Sequence, residues 1–92
     1  MDVQEKRHEI LRIAALHGAH NIRLFGSVAR GEDRPDSDLD LLVDMESGRS
    51  ILDLVGLGQD LEDLLHRKVD VLTDASVHPA LREQVLADAR PL

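Results

Sequence analysis

Residues 24–43, LFGSVARGEDRPDSDLDLLV, decide how the chain folds. A glycine and a serine follow an apolar pair, a polar stretch with one proline comes next, and alternating aspartates and leucines end the segment. The pattern predicts four short units in succession: a strand at 21–25 that ends at Gly26, a helical turn at 27–30 that ends at Gly31, a loop at 32–37 and a second strand at 38–45.

The two aspartates of the second strand, Asp38 and Asp40, lie two residues apart and therefore share one face of the sheet. The apolar residues of that strand, Leu39, Leu41 and Val43, face the other way. Two carboxylates held together repel each other, and a divalent cation bound to both removes that repulsion. A strand with its polar face in water shows the same alternation. Aspartate is disfavoured in strands, however, so two aspartates within one strand require a reason, and a metal site would be one.

Helices and strands alternate along the rest of the chain. The pattern predicts an amphipathic helix at 2–17, a helix that begins after Ser50, a strand at 68–72 and a helix from Pro79 to about residue 89. This order is typical of an α/β domain with a small mixed β-sheet flanked by helices. We expect the first two strands to be antiparallel, and the second and third to be parallel because a helix joins them. With 92 residues, the chain is expected to form a single domain over 1–92.

A third acid, Asp70, lies in the middle of the third predicted strand, in the sequence KVDVL. Its neighbours Val69 and Val71 would face the helices, so Asp70 would lie beside Asp38 and Asp40 if the two parallel strands are adjacent. Three carboxylates on one surface suit two Mg²⁺ ions, with Mn²⁺ as the alternative, because both metals prefer oxygen ligands. Such a two-metal arrangement serves phosphoryl or nucleotidyl displacement.

The pair Gly26-Ser27 follows the first predicted strand and opens a helical turn. Glycine allows a sharp turn and lets a ligand approach the backbone closely. Ser27 would lie at a helix N-terminus, where free N–H groups favour anions such as phosphate. Ordinary N-capping by Ser27 is the alternative reading of this pair.

Composition excludes several classes of function. The net charge is −7 and Phe25 is the only aromatic residue, so neither a basic surface nor a stacking platform for nucleic acid is expected. A nucleotide bound through metal ions is still allowed. The absence of cysteine excludes disulfides and thiolate catalysis and fits the cytoplasm. No apolar run approaches the roughly 20 residues that span a bilayer, so no membrane segment is expected.

The remaining polar residues are interpreted as structural. The five histidines are expected at surface or cap positions, and Asp60, Glu62 and Asp63 on a solvated helix face. Asp44 continues the alternation but lies towards the end of its strand, and it is left out of the metal site. The last helix is expected to contribute Leu81, Val85 and Leu86 to the core first and to offer a partner surface second.

The motif as a whole, Gly26-Ser27, ten residues, and then Asp38-Leu39-Asp40, resembles the signature of the DNA polymerase beta-like nucleotidyltransferase superfamily. The wider stretch is similar to its smallest branch, the minimal nucleotidyltransferase (MNT) domains of bacteria and archaea. The resemblance extends over the whole chain, from the leading helix to the closing one, and it implies the polymerase-beta-like nucleotidyltransferase fold.

The resemblance also implies roles for individual residues. Gly26 and Ser27 would bind the triphosphate of a nucleoside triphosphate. Asp38 and Asp40 would hold two metal ions, and Asp70 would join the ion that activates the attacking hydroxyl and act as its base. Arg30 would contact a phosphate or, equally, form a surface ion pair with a neighbour such as Glu32 or Asp33.

Proteins of this size in the family are often paired with a HEPN toxin, and in some pairs they adenylylate a tyrosine of that toxin with ATP. The resemblance therefore implies a cytoplasmic antitoxin that transfers AMP from ATP to a hydroxyl of such a partner, within a hetero-oligomer. The alternative is a non-catalytic binding module that neutralises its partner by stoichiometric contact. Transfer to a small molecule such as an aminoglycoside is disfavoured because the chain has no acceptor domain.

Overall fold

The computed structural model describes residues 3–31 and 38–92, without the side chain of Ser27, so the loop predicted at 32–37 lies outside the described residues. A 3-10 turn at Val3–Lys6 precedes the first helix. The elements then follow in the order α1 (Arg7–Leu16), β1 (Ala19–Phe25), α2 (Gly26–Ala29), β2 (Leu39–Met45), α3 (Ile51–Leu65), β3 (Val69–Thr73), a 3-10 turn at Asp74–Ser76, α4 (Pro79–Asp88) and β4 (Arg90–Pro91).

The described strands form a four-stranded mixed sheet in the order β3-β2-β1-β4. Strands β1 and β2 are antiparallel, and β2 and β3 are parallel, which confirms the predicted strand directions. Strand β4 was not predicted, and it pairs antiparallel with β1 at Arg23 and Leu24. A strand of two residues is too short to show a periodic pattern in the sequence. Its Pro91 is compatible with the edge position of β4, because proline has no N–H to donate to a neighbouring strand. None of the described helices is long and apolar enough to cross a bilayer.

One face of the sheet is covered by α1 and α3. From β2, the side chains of Leu39, Leu41 and Val43 are fully buried there, as the alternation predicts. Ile10 of α1 and Leu57 and Leu61 of α3 are equally inaccessible. Leu16, which was expected in the apolar stripe of α1, is instead 65% exposed. Six residues beyond Ile10, it lies well off the buried side of a helix with 3.6 residues per turn.

The opposite face carries a smaller apolar cluster. Phe25, Leu42 and Val77 are buried in it, and Leu72 and Val85 pack against them. Helix α4 contributes no buried residue, and Leu81 and Leu86 are 55% and 46% exposed. The expectation that α4 is mainly a core helix is therefore wrong, because of its three predicted core residues Val85 alone packs against this cluster.

Helix α3 begins where the sequence predicts it. The Ser50 hydroxyl accepts a hydrogen bond from the Leu52 N–H at 3.2 Å, and the Asp53 carboxylate accepts one from the Ser50 N–H at 3.1 Å, which together form a capping box. The helix runs unbroken through Gly56 and Gly58, and its C-cap, His66, adopts the left-handed conformation. Strand β3 begins after three connecting residues and runs parallel to β2.

Candidate active site

The strand register places two of the predicted acids side by side. Asp40 is the partner of Asp70 across the parallel β2–β3 pair, and Phe25 is its partner on β1. Asp38 is exposed and lies immediately before β2, where the Leu39 N–H donates to the Lys68 carbonyl at 2.9 Å and fixes the entry of the strand. The sheet thus brings the three acids to one region of its open face.

The charges of the other two acids act on Asp40. The pKa of Asp40 is raised above its ordinary value of 3.8, first by burial and then by the negative charges of Asp70 and Asp38. The Arg30 guanidinium acts in the opposite direction and lowers the same pKa. Asp40 is therefore a half-buried carboxylate whose charged form lacks sufficient positive charge nearby, and a bound cation would supply it.

The donor chemistry of this region fits a hard divalent cation. All three acids offer carboxylate oxygens, the ligands that Mg²⁺ and Mn²⁺ prefer. In the part of the chain that the structure describes, no three acidic or histidine side chains are gathered into a ready-made metal cluster. A cation would therefore have to draw the three carboxylates together, against the repulsion that already raises the pKa of Asp40.

Gly26 lies directly against the Asp40 carboxylate. Its φ of +73° is in the left-handed region, which side chains other than glycine rarely adopt. A Cβ atom added to it would overlap with Oδ2 of Asp40. Two independent constraints, one on the backbone and one on space, therefore require glycine at the turn that passes over the acid.

The position of Ser27 differs from that of an N-cap. Helix α2 begins at Gly26, and its cap residue is Phe25, which makes no side-chain capping bond. Ser27 is therefore already inside the single turn of α2, next to the residue that touches Asp40. The alternative of ordinary N-capping by Ser27 does not apply to this backbone.

Arg30 follows α2 and pairs with a residue far away in the sequence. Its Nη1 atom lies 3.1 Å from Oδ2 of Asp88, at the end of α4. The expected partners Glu32 and Asp33 lie outside the described residues. Sequence analysis missed Asp88 because the two residues are separated by 58 positions and no local pattern connects them. The pair joins α2 to α4 and holds the guanidinium close enough to act on Asp40.

Comparison with known proteins identifies the family. The sequence profile of the nucleotidyltransferase domain matches residues 8–92. The chain belongs to the nucleotidyltransferase domain family. A protein of Methanocaldococcus jannaschii that is named as a protein adenylyltransferase is 43% identical over 89 residues, which make up 97% of this chain and 96% of that protein.

Solved structures agree with the nucleotidyltransferase fold. The structure of a minimal nucleotidyltransferase is 50% identical, with a TM-score of 0.87, and the match covers 100% of this chain and 97% of that one. A second neighbour, an MNT antitoxin in complex with a tri-AMPylated HEPN toxin of Shewanella oneidensis, is 22% identical with a TM-score of 0.71. That match covers 96% of this chain and 69% of the other, and it supports the fold alone.

Acids outside the predicted site of this nucleotidyltransferase have structural partners. Asp44 accepts hydrogen bonds from Asn21 Nδ2 and Arg23 Nη2, both at 2.9 Å, so it is engaged at the far end of β2. Glu62 is not simply solvated, because its carboxylate accepts from the Val69 N–H of β3 at 3.0 Å. Asp60 pairs with the ring of His17 at 2.7 Å.

Two cavities adjoin the acidic region of the nucleotidyltransferase. The α3 cavity, of about 290 Å³, is lined by residues of α3 and β3, with Asp70 at its border. The α4 cavity, of about 210 Å³, lies between α2 and α4, with Gly26 at its border. Neither could be found in the sequence, because each is formed by elements that are distant along the chain.

Proposed function

We propose that the protein is a metal-dependent protein adenylyltransferase that transfers AMP from ATP to a tyrosine hydroxyl of a HEPN-type toxin. It would act as the antitoxin of that toxin, in a hetero-oligomer in the cytoplasm. The observation that carries this proposal is the arrangement of Gly26, Asp40 and Asp70: paired carboxylates in register, with a side-chain-free turn directly above one of them. The adenylyltransferase name of the archaeal relative and the AMPylated toxin bound by the distant neighbour support it.

The acids would hold the metal ions in this proposal. Asp38 and Asp40 would bind two Mg²⁺ ions, or Mn²⁺ in their place, and Asp70 would share one of them. Bound there, the ions would neutralise negative charge on the phosphate that is transferred. The pKa of Asp40, raised by burial and then by the charges of Asp70 and Asp38, supports this assignment, because a bound cation would favour the ionised form that both causes disfavour.

The turn at Gly26 and Ser27 would bind the triphosphate. The lack of a side chain at Gly26 lets phosphate oxygens approach the backbone closely, and the Ser27 hydroxyl would add a donor. Arg30, held by Asp88 at 3.1 Å, would place positive charge beside the phosphates. Sequence analysis gave Arg30 either a phosphate contact or an ion pair. In this proposal it has both, because the ion pair with Asp88 positions the guanidinium for the phosphate.

The transfer itself is a displacement at the α-phosphorus. The acceptor oxygen forms a bond to phosphorus as the bond to the pyrophosphate oxygen breaks. The hydroxyl proton passes to the Asp70 carboxylate, and the products are an AMP ester of the acceptor and pyrophosphate. Asp70 is suited to this role because it is only partly buried and lies beside Asp40, on the strand at one edge of the sheet.

A second candidate function, neutralisation by contact alone, is favoured by one feature. The first turns of α3 expose three large apolar side chains, with Ile51, Leu52 and Val55 at 73%, 76% and 52% exposure. Such a patch suits a protein interface. It would serve a binding module as well as an enzyme that must hold its protein substrate.

Intact-mass measurement of the toxin, after incubation with the protein, ATP and Mg²⁺, separates the two candidates. We expect a mass gain of one or more AMP groups with the wild-type protein. The double variant Asp38→Asn/Asp40→Asn should abolish this gain while still binding the toxin, and the exposed-acid control Asp63→Asn should retain it. If the double variant protects cells from the toxin as well as the wild type does at equal expression, contact alone is sufficient and the binding module replaces the enzyme.

A further inference from the structure

The outer edge of strand β3 presents the backbone groups of alternate residues. The hydrogen bond from the Leu39 N–H to the Lys68 carbonyl fixes which residues of β3 turn their N–H and C=O towards β2. By the alternation along a parallel pair, Val69, Val71 and Thr73 turn theirs away from it. Outward groups of this kind can pair with an extended segment of another chain.

Two of these three outward positions are bound by side chains of the protein itself. The Glu62 carboxylate accepts from the Val69 N–H at 3.0 Å. The Ser76 hydroxyl accepts from the Thr73 N–H and donates to the Thr73 carbonyl, both at 2.9 Å. In the part of the chain that the structure describes, Val71 has no such side-chain bond. The edge is therefore open at one residue, and that residue follows Asp70.

The α3 cavity lies beside the open position of the edge. Its lining includes the exposed side chains of Ile51 and Val55. Gly58 also lines it, in the interior of α3, where glycine weakens a helix relative to alanine. A Cβ atom at Gly58 would make only ordinary contacts, at 3.8 Å from Val69 and Val71, so the packing of the fold does not require glycine there. The missing side chain instead keeps the cavity open.

A segment paired with Val71 would reach both sides of the sheet. Two residues directly opposite each other in an antiparallel pair exchange both backbone bonds and share a face. Antiparallel pairing therefore satisfies the N–H and C=O of Val71 with a single residue of the other chain. The side chain of that residue points towards α3, into the cavity. The next residue points to the opposite face, on which Asp70 lies.

The charge of the α3 cavity favours a basic segment. Glu62 and Asp70 both line the cavity, and no lysine or arginine is among its described lining residues. The net charge of the whole chain is −7. Charge complementarity therefore favours lysine or arginine in whatever pairs with this edge.

We propose that the β3 groove, formed by the open edge at Val71 and the α3 cavity, binds the acceptor segment of the partner protein as an added strand. That segment carries an apolar residue opposite Val71, the acceptor tyrosine directly after it, and basic residues on either side. The inference rests on the proposed function, because it takes Asp70 as the group that receives the proton of the tyrosine hydroxyl.

The first test measures the binding of fluorescein-labelled peptides to the full chain by fluorescence anisotropy. The probe has valine directly before phenylalanine, flanked by lysines, and the phenylalanine stands in for tyrosine but cannot accept AMP. We expect serine in place of the valine to weaken binding about tenfold, because the burial of one apolar side chain is lost. N-methylation of the valine, which removes the N–H that pairs with the Val71 carbonyl, should weaken it several-fold. Glutamates in place of the lysines should abolish binding at low salt.

Variants of the protein test the cavity wall. Gly58→Leu should fill the cavity and weaken the valine peptide about tenfold, with little effect on the serine peptide. Val55→Ser should weaken the valine peptide about threefold, because it removes apolar contact without entering the core. The matched control is Leu52→Ser on the same helix, which is exposed and outside the cavity lining and should change neither affinity. Circular dichroism checks that each variant is folded, and Val55→Ser decides if Gly58→Leu is not.

AMP transfer to the corresponding tyrosine peptides, with ATP and Mg²⁺, separates this inference from the proposed function. Gly58→Leu should raise the KM for the valine peptide and leave kcat unchanged. If the valine and serine peptides are AMPylated with equal KM, the groove does not select the acceptor and the inference is overturned, while the adenylyltransferase proposal stands.

Two further outcomes are decisive. If no peptide binds, or if Leu52→Ser weakens binding as much as Val55→Ser, the β3 groove is not the docking site, and intact-mass measurement of the toxin still decides the proposed function. If peptide binding follows the expected pattern but neither the peptides nor the toxin gain AMP, the adenylyltransferase proposal fails, and the groove stands as the contact of the binding module.

Discussion

The two faces of strand β2 have opposite physical characters. Towards α1 and α3, Leu39, Leu41 and Val43 are completely inaccessible to solvent. On the other face, Asp40 is half-buried beside Asp70, and its pKa is raised because its charge is neither fully hydrated nor neutralised. The first face only stabilises the fold, whereas the second buries Leu42 in a smaller apolar cluster and also holds a locally unfavourable arrangement at Asp40. Unfavourable electrostatics retained in a marginally stable domain indicate a functional site.

The largest expected effect is a loss of stability caused by a substitution on the buried apolar face of β2. Leu41→Ala removes a side chain with 0% exposure, and we expect it to lower the free energy of unfolding by about 2–5 kcal/mol. The control is Leu52→Ala, at 76% exposure, which should change it by less than about 0.5 kcal/mol. Urea denaturation followed by circular dichroism measures both. Similar midpoints for the two variants would contradict the placement of the core.

The next effect concerns Gly26, which lies against the acid of the polar face. Gly26→Ala introduces a methyl group at φ +73° and against Asp40, whereas Gly48→Ala has a similar φ of +88° with open space around it. Both should lose about 1–2 kcal/mol of stability from the backbone alone. Only Gly26→Ala should also weaken magnesium-nucleotide binding, measured by calorimetry. Equal nucleotide affinities for the two variants would mean that Gly26 is only structural.

A smaller effect distinguishes two glycines within α3. Gly58→Ala meets only ordinary contacts at 3.8 Å, so we expect a gain of about 0.5–1 kcal/mol from helix propensity. Gly56→Ala has the same propensity gain, but its Cβ would lie 3.0 Å from the His17 ring, which pairs with Asp60. Its net gain should therefore be smaller or reversed. Thermal melts at matched concentration compare them, and a larger gain for Gly56→Ala would contradict the packing of α1 on α3.

The parts of the fold that could be predicted are those that leave a pattern within a short stretch of sequence. The short connection between the first two strands and the helix between the second and third were sufficient to predict the strand directions. The alternation around Asp38, Asp40 and Asp70 predicted that these acids lie together if β2 and β3 are adjacent, and the sheet order confirms that adjacency. Two-residue β4 and the Arg30–Asp88 pair could not be predicted, because both depend on contacts between distant segments. The exposure of α4 was missed for a related reason. Its apolar residues are compatible with a core, and only the tertiary structure shows that none of them is buried by the described part of the chain. The roles of the site residues remain predictions.

The smallest expected effect is a dependence of stability on pH. It compares two acids whose pKa values are shifted in opposite directions, Asp40 on the polar face of β2 and Asp53 in the capping box of α3. In the folded state the pKa of Asp40 is raised above 3.8, by burial and then by Asp70 and Asp38. The pKa of Asp53 is lowered below 3.8, first by its hydrogen bond from the Ser50 backbone. The folded protein therefore binds a proton at Asp40 more tightly than the unfolded chain does, and at Asp53 less tightly.

The sign of each effect on stability follows by linkage. As pH rises through 3.8 towards its raised pKa, ionised Asp40 progressively destabilises the metal-free fold, and the full penalty is present at neutral pH. Asp53 contributes stability at neutral pH that is lost as pH falls through its lowered pKa. Relative to the wild type, Asp40→Asn should therefore raise the melting temperature at neutral pH and Asp53→Asn should lower it, with both differences shrinking in acid.

Melting curves from about pH 3 to pH 7 at constant ionic strength measure these differences in melting temperature. Added Mg²⁺ should reduce the advantage of Asp40→Asn, because a cation stabilises the wild-type carboxylates. An Asp40→Asn variant less stable than the wild type at neutral pH without metal would show that the acidic face is not under electrostatic strain.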